Sequence, residues 1–233
     1  MQCRRRVIQP LLRFAFHLFY NPFAFTYDFV SAVVSRGHWR AWTRAAIPRI
    51  TGTRVLEVPC GTGNLLLDLI AAGYTPVGVD LSPWMIRITR SKILAKVPST
   101  PLRSAQDEPS QGFPLVRARV QRLPFPPRAF DTVIMTFPPE LIYDPEALAE
   151  FRRVLDDQGR LIWVDAGRLL PFALWSRVLN RALDAVGGGD QESAHRSFAE
   201  RARELLAGGG FEAQTEWVRD DASIVAVVTA TKA

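Results

Sequence analysis

The segment from Arg54 to Met85 constrains the fold more than any other part of the chain. Residues Thr53 to Val58 are short and apolar and run into Pro59-Cys60-Gly61-Thr62-Gly63. Asn64-Leu65-Leu66-Leu67-Asp68-Leu69-Ile70 then carries apolar residues at helical spacing. That order reads as strand, tight turn and helix. Gly73 stops the helix, Pro76-Val77-Gly78-Val79-Asp80 reads as a second strand, and Ser82-Pro83 supplies the cap and first turn of a helix running to about Lys96. Two strand–helix units in succession predict an α/β fold built on a parallel sheet.

Beyond this unit, Pro98 to Pro114 is rich in Pro, Ser and Gln and reads as a surface linker. Val116 to Val120 is a candidate third strand, and Asp131 to Thr136 a buried fourth. Asp144-Pro145 is the N-cap and first turn of a helix that ends near Leu155 and is closed by Gly159. Leu161 to Asp165 follows as the fifth strand. Helical patterns at Pro171–Val186 and Ser193–Leu206 precede two last strands, Phe211–Val218 and Ser223–Thr229. The short Asp220-Asp221 turn between them predicts a hairpin, so the final strand joins the sheet antiparallel.

With 233 residues, 48% of them apolar, the chain has enough material for one α/β domain over residues 51–233 plus a helical extension over residues 1–50. The net charge of +6 sits at one end. Residues 1–50 hold eight arginines and a single acid, Asp28, so the rest of the chain is close to neutral and nucleic acid is disfavoured as a partner. The same end carries ten of the 24 aromatic residues. Its longest uncharged run, Phe14 to Tyr27, is interrupted at Asn21-Pro22 and falls short of the roughly 20 residues needed to cross a bilayer. Neither a span nor a cleaved signal is expected. Three roles stay open for these aromatics: packing on the parent domain, contact of residues 1–35 with a membrane surface or lipid substrate, and a homodimer interface. Cys3 and Cys60 match no metal-ligand spacing, so neither a metal site nor a disulfide framework is expected, and a reducing cytoplasmic setting fits, with membrane association as its variant.

A Gly-rich turn after a first strand lets backbone approach a ligand closely, and an acid ending the second strand suits a ribose diol. Glu57, Gly61, Gly63 and Asp80 stand in those places. A nicotinamide dinucleotide is disfavoured because its third glycine position is Leu66. Val55-Leu56-Glu57-Val58-Pro59-Cys60-Gly61-Thr62-Gly63 resembles motif I of the class I S-adenosylmethionine (SAM)-dependent methyltransferases, and Val79-Asp80-Leu81-Ser82-Pro83-Trp84-Met85 resembles their second motif. Leu123-Pro124-Phe125-Pro126 with Phe130-Asp131-Thr132-Val133, and Glu150-Phe151-Arg152-Arg153-Val154-Leu155 with Gly159-Arg160-Leu161, are similar to later ones.

The resemblance implies a Rossmann-like, doubly wound, mostly parallel seven-stranded sheet with an antiparallel last strand, and SAM as cofactor. It places Glu57 near the amino-acid end of the cofactor with Gly61 and Gly63 against it, Asp80 on the ribose hydroxyls, and Leu81 and Met85 beside the adenine. Val120 and Gln121 line the same pocket through their backbones. Pro59, Cys60, Thr136 and Tyr27 complete the expected cofactor-binding set. Two positions depart from the pattern. Pro59 replaces a glycine, removing an N–H and fixing φ, and Arg119 stands where an Asp commonly faces the adenine amino group.

Tyr27-Asp28 followed by Ser35-Arg36-Gly37-His38-Trp39-Arg40-Ala41-Trp42 is similar to the opening of ubiquinone/menaquinone C-methyltransferases. In that group the opening segment covers the cofactor and the substrate is a polyprenylated ring. The implied acceptor is a small hydrophobic or lipid-like molecule, with a quinone-type ring as the sharpest form. Phospholipid or amine methylation and a SAM-binding module without catalysis are the alternatives. Methylating a phenol or ring carbon requires a base, for which Glu140, Tyr143, Tyr27 and His195 are the candidates. Glu140 reads equally as the start of a helix, His195 as a surface residue, Cys60 as packed, and Asp144 as a cap. Phe137-Pro138-Pro139-Glu140 occupies the place of the polar-Pro-Pro-aromatic tetrad of amino-directed nucleic-acid methyltransferases but lacks both functional members, which argues against that chemistry.

Overall fold

In the computed structural model, which describes residues 26–96, 115–138, 141–170 and 191–233, the strands form one seven-stranded sheet. Its members are β1 (Val55–Glu57), β2 (Val77–Asp80), β3 (Leu115–Arg117), β4 (Phe130–Thr136), β5 (Leu155–Leu169), β6 (Phe211–Arg219) and β7 (Ser223–Lys232), in the order β3-β2-β1-β4-β5-β7-β6. Pairing is parallel from β3 through β5, while β7 lies antiparallel to both β5 and β6. The expected topology is therefore present, with the final strand inserted before the edge.

Alternation along the central strands sorts side chains to two faces. Val133, Met135, Leu161 and Trp163 pack with Phe151, Leu206 and Phe211 in one buried cluster, whereas Ile134, Ile162 and Val164 pack with Leu65, Leu69 and Trp42 in the other. Helices α3 (Asn64–Ala71), α4 (Pro83–Lys96), α5 (Pro145–Val154) and α6 (Gln191–Gly208) flank the sheet, and α1 (Tyr27–Val34) and α2 (Trp39–Arg44) precede it. The Asp144 side chain caps α5 by accepting from the Glu146 N–H at 2.9 Å, as its position before Pro145 predicts. The Ser82 hydroxyl accepts from the Met85 N–H at 3.3 Å at the start of α4.

Several boundaries differ from expectation. The third strand covers Leu115–Arg117 and stops before Val120, where the chain turns. The fifth begins at Leu155, directly after α5, because Leu155 already pairs with Phe130 of β4. Gly159 therefore lies within β5 rather than closing a helix. A Cβ there would stand 2.9 Å from the Asp156 carbonyl oxygen, so glycine lets the chain fold back before Arg160 rejoins β4 opposite Thr132. The expected Pro98–Pro114 linker and Pro171–Val186 helix lie outside the described residues.

Residues 26–50 share the second buried cluster with the sheet. Trp42 is 6% exposed, and its indole N–H donates to Ser223 Oγ at 2.9 Å, linking α2 to the start of β7. Its ring lies against Gly167, where a Cβ would come within 2.6 Å of Trp42 Cε3. Arg40 adds a two-pronged bond to the Asp68 carboxylate of α3, at 3.0 and 2.6 Å. Gly167→Ala is expected to push Trp42 off Ser223 and lower the unfolding free energy by about 1–3 kcal/mol. Urea denaturation reads this directly, and an unchanged midpoint would show that the indole has room to yield.

Candidate functional site

The ends of β1 and β2 carry the two acids that organise the site, because neighbouring parallel strands turn into their helices on the same edge of the sheet. Asp80, at the end of β2, accepts the Gly61 N–H at 2.9 Å through one oxygen and the Ser82 N–H at 2.8 Å through the other. One carboxylate thus fixes both the turn after β1 and the turn after β2. Burial pushes its pKa up, and the bonds from Ser82, Gly61 and Leu81 oppose that shift.

Glu57, at the end of β1, is only 2% exposed, and its Oε2 has no hydrogen-bond partner. Burial first, then the charges of Asp80 and Asp68, hold its carboxyl well above the usual range. In the turn between β1 and α3 the Val58–Pro59 peptide is cis, and Gly61 and Gly63 have φ of 51° and 74°. Their roles differ. A Cβ on Gly61 would meet nothing within 4 Å, whereas one on Gly63 would lie 2.3 Å from Thr89 Cγ2 of α4. Gly61 thus gives onto open space, and Gly63 permits close packing of the turn on α4. The buried Cys60 thiol is pushed well up, first by burial and then by the neighbouring acids, so it is not a ready nucleophile.

These residues border a cavity of about 480 Å³. Of the expected cofactor set, Tyr27, Glu57, Pro59, Cys60, Gly61, Asp80, Leu81, Val120, Gln121 and Thr136 lie in its lining. Gly63 and Met85 do not; Met85 is fully buried. Gln121 also donates from Nε2 to Asp144 Oδ2 at 2.6 Å, which joins the lining to the cap of α5. Arg119 lines the cavity as well. Of the candidate bases, Tyr27 lines the cavity, and Glu140 lies outside the described residues. Tyr143 is 63% exposed on a 3-10 turn, and His195 stacks on Trp217 with ring centroids 3.7 Å apart, on the α6–β6 side.

Further lining residues were not among those expected from the sequence. Trp39 and Thr43 from α2 and Phe137 after β4 also line the cavity. Trp39 stacks on Phe137 at 4.3 Å and 27°, and Tyr27 meets Trp39 edge-on at 6.2 Å. Phe137 holds a left-handed φ of 47° while its N–H donates to the Val164 carbonyl at 2.8 Å. The signal was present in Tyr27, Trp39 and Phe137 separately, but only the closure of α1 and α2 over the sheet brings them together.

The donor set suits SAM. The Glu57 carboxyl keeps an oxygen without a partner that could accept from the ammonium group at the cofactor's amino-acid end, the Asp80 carboxylate could accept from its ribose hydroxyls, and Gly61 leaves open space beside its backbone. A family model described as a methyltransferase domain matches residues 55–159. The chain is 32% identical over 166 residues to a demethylmenaquinone methyltransferase of Symbiobacterium thermophilum, covering 68% of this chain and 61% of that protein. It is 29% identical over 206 residues to a ubiquinone/menaquinone biosynthesis C-methyltransferase of Geotalea uraniireducens, covering 80% and 83%. Among solved structures, a SAM-dependent methyltransferase of Thermotoga maritima shares the fold at a TM-score of 0.57 and 19% identity, over 93% of this chain and 99% of that one.

Glu57 gives the site a measurable pH signature. A buried carboxyl with a raised pKa holds its proton more tightly folded than unfolded, so its contribution to stability is greatest at low pH. That contribution declines as pH rises from the unfolded value toward the folded one. Glu57→Gln is therefore expected to raise the thermal midpoint at pH 7, with the gap closing as pH approaches 4. A constant difference across that range would mean that Glu57 is ionised in the fold.

Proposed function

We propose that the chain is a class I SAM-dependent methyltransferase that transfers the cofactor's methyl group to a flat, hydrophobic ring of the quinone type. The single observation that carries this reading is the aromatic wall. Trp39 stacked on Phe137, with Tyr27 against its edge, borders the same cavity as the Glu57–Gly61 turn. A flat ring gains contact area against such a surface at little entropic cost. Similarity to a demethylmenaquinone methyltransferase and to a ubiquinone/menaquinone biosynthesis C-methyltransferase supports an acceptor of that kind.

SAM supplies an electrophilic methyl group on a sulfonium. Transfer is an in-line displacement, so the chain's task is to fix the acceptor opposite that methyl and keep water out. Asp80 and Gly61 hold the floor of the cavity, and Trp39 and Phe137 fix the plane of the acceptor. A ring carbon gaining a methyl group gives up a proton. Tyr27, which lines the cavity, we assign to the acceptor side, where its hydroxyl orients a ring oxygen and passes the released proton on to solvent.

The same reading includes contact with a membrane, where a prenylated ring would reside. No helix among the described residues is long and apolar enough to cross one. Helix α1 instead turns an apolar face outward: Phe29 is 72% exposed and Val33 58%, with Val30 and Val34 beside them. Arg36 follows at once, and the sequence before α1 adds Arg4, Arg5, Arg6 and Arg13. Apolar side chains with flanking arginines suit the surface of an anionic bilayer.

Methyl transfer to a reduced, prenylated naphthoquinone tests the substrate, with phosphoethanolamine as the amine comparator. Trp39→Ala is expected to raise KM for the ring acceptor about tenfold, in line with the loss of an aromatic contact. Transfer to the amine alone would support the amine reading, and cofactor binding with no transfer to either would support a non-catalytic module. In co-sedimentation with acidic vesicles, the Phe29→Glu/Val33→Glu double variant of the full chain is expected to stay in solution where the wild type pellets. Equal pelleting would overturn the membrane contact.

A further inference from the structure

Asp28 is the one acid of the first 50 residues, and it lies where three elements meet. Its Oδ1 accepts from Thr62 Oγ1 at 2.6 Å and from Asn64 Nδ2 at 2.9 Å, and its Oδ2 pairs with Lys92 Nζ of α4. Lys92 also donates to Asn64 Oδ1 at 2.8 Å, closing the network. Thr62 and Asn64 belong to the turn after β1 and the first position of α3, and both line the cavity. Tyr27, the residue before Asp28, lines it as well. Burial pushes the Asp28 carboxyl up, but the bonds from Lys92, Thr62 and Asn64 outweigh it and leave the group below the usual carboxylate range, ionised throughout the neutral region.

We propose that Asp28 is a positioning residue that couples the cofactor turn to the acceptor wall. A cofactor seated on Gly61–Asn64 holds Thr62 and Asn64 in place, and these two hold Asp28. Asp28 then sets α1, and with it Tyr27 and the Trp39–Phe137 stack. Coupling of this kind is reciprocal: closing α1 over the cavity tightens the grip on the cofactor by the same factor. The acceptor wall is therefore held more firmly once the cofactor has bound, which favours cofactor binding before the acceptor. This inference rests on the reading of the cavity as the SAM site.

The test uses the full chain and S-adenosylhomocysteine, the demethylated cofactor, with calorimetry and hydrogen exchange as readouts. In the wild type, ligand is expected to slow exchange both at residues 61–72 and at residues 27–44. In Asp28→Asn, the affinity is expected to fall about tenfold, with protection retained at 61–72 and lost at 27–44. Lys92→Gln breaks the same network from α4 and should give the same pattern; it carries the test if Asp28→Asn does not fold. The double variant should be no worse than either single one. Affinity within twofold of wild type with protection of 27–44 intact, or losses that add in the double variant, would overturn the coupling. A wild type that fails to bind S-adenosylhomocysteine would instead overturn the reading of the cavity.

Discussion

The Asp80 carboxylate is the constraint on which the site depends. A buried acid is costly unless its oxygens are satisfied, and here the amides of Gly61 and Ser82 satisfy them. Because these amides come from two different strand-to-helix turns, the acid fixes the distance between them and gives the cavity a rigid floor. Gly78, two residues earlier in β2, serves the same end, since any Cβ there would stand 2.5 Å from Leu66 of α3. The strand carrying the acid is thereby pressed against the helix that starts at the turn the acid holds.

The N-terminal helices belong to both fold and site. Trp42 sits in the core under Gly167 and bonds Ser223, while Trp39, three residues earlier and so on an adjoining part of the helix surface, faces the cavity. Lost packing at Trp42 would be felt at Trp39. The aromatic richness of this end thus has two described uses, core packing by Trp42 and cavity lining by Tyr27 and Trp39, and α1 keeps a third set, around Phe29, on its outer face.

What the sequence made legible was local. The Glu57–Gly63 turn, Asp80 and the capping of α4 and α5 are written in contiguous residues whose backbone demands are distinctive, and the β6–β7 hairpin is announced by the polar Asp220-Asp221 pair between its strands. Long-range pairing was less visible. Leu155 looked like a helix end and became a strand start, because its partner Phe130 lies 25 positions away. Gly63 and Met85 look alike in kind to Gly61 and Leu81, and only the packing of α4 shows that Thr89 fills the space beside one and that the other is buried. The wall of Trp39 and Phe137 draws on residues almost a hundred positions apart, which no short motif records.

Phe137 illustrates what such a wall asks of the backbone. A bulky residue at a φ of 47° is conformationally unfavourable, by something on the order of 1–3 kcal/mol. Glycine or asparagine would relieve it. The conformation persists because the Val164 carbonyl holds the amide and Trp39 covers the ring. Selection for stability alone would therefore push this position toward a small residue, and selection for a flat aromatic surface would push it back. Variants of this protein chosen only for resistance to heat should drift toward relaxing this corner of the cavity, gaining robustness as they lose the surface against which a ring can lie.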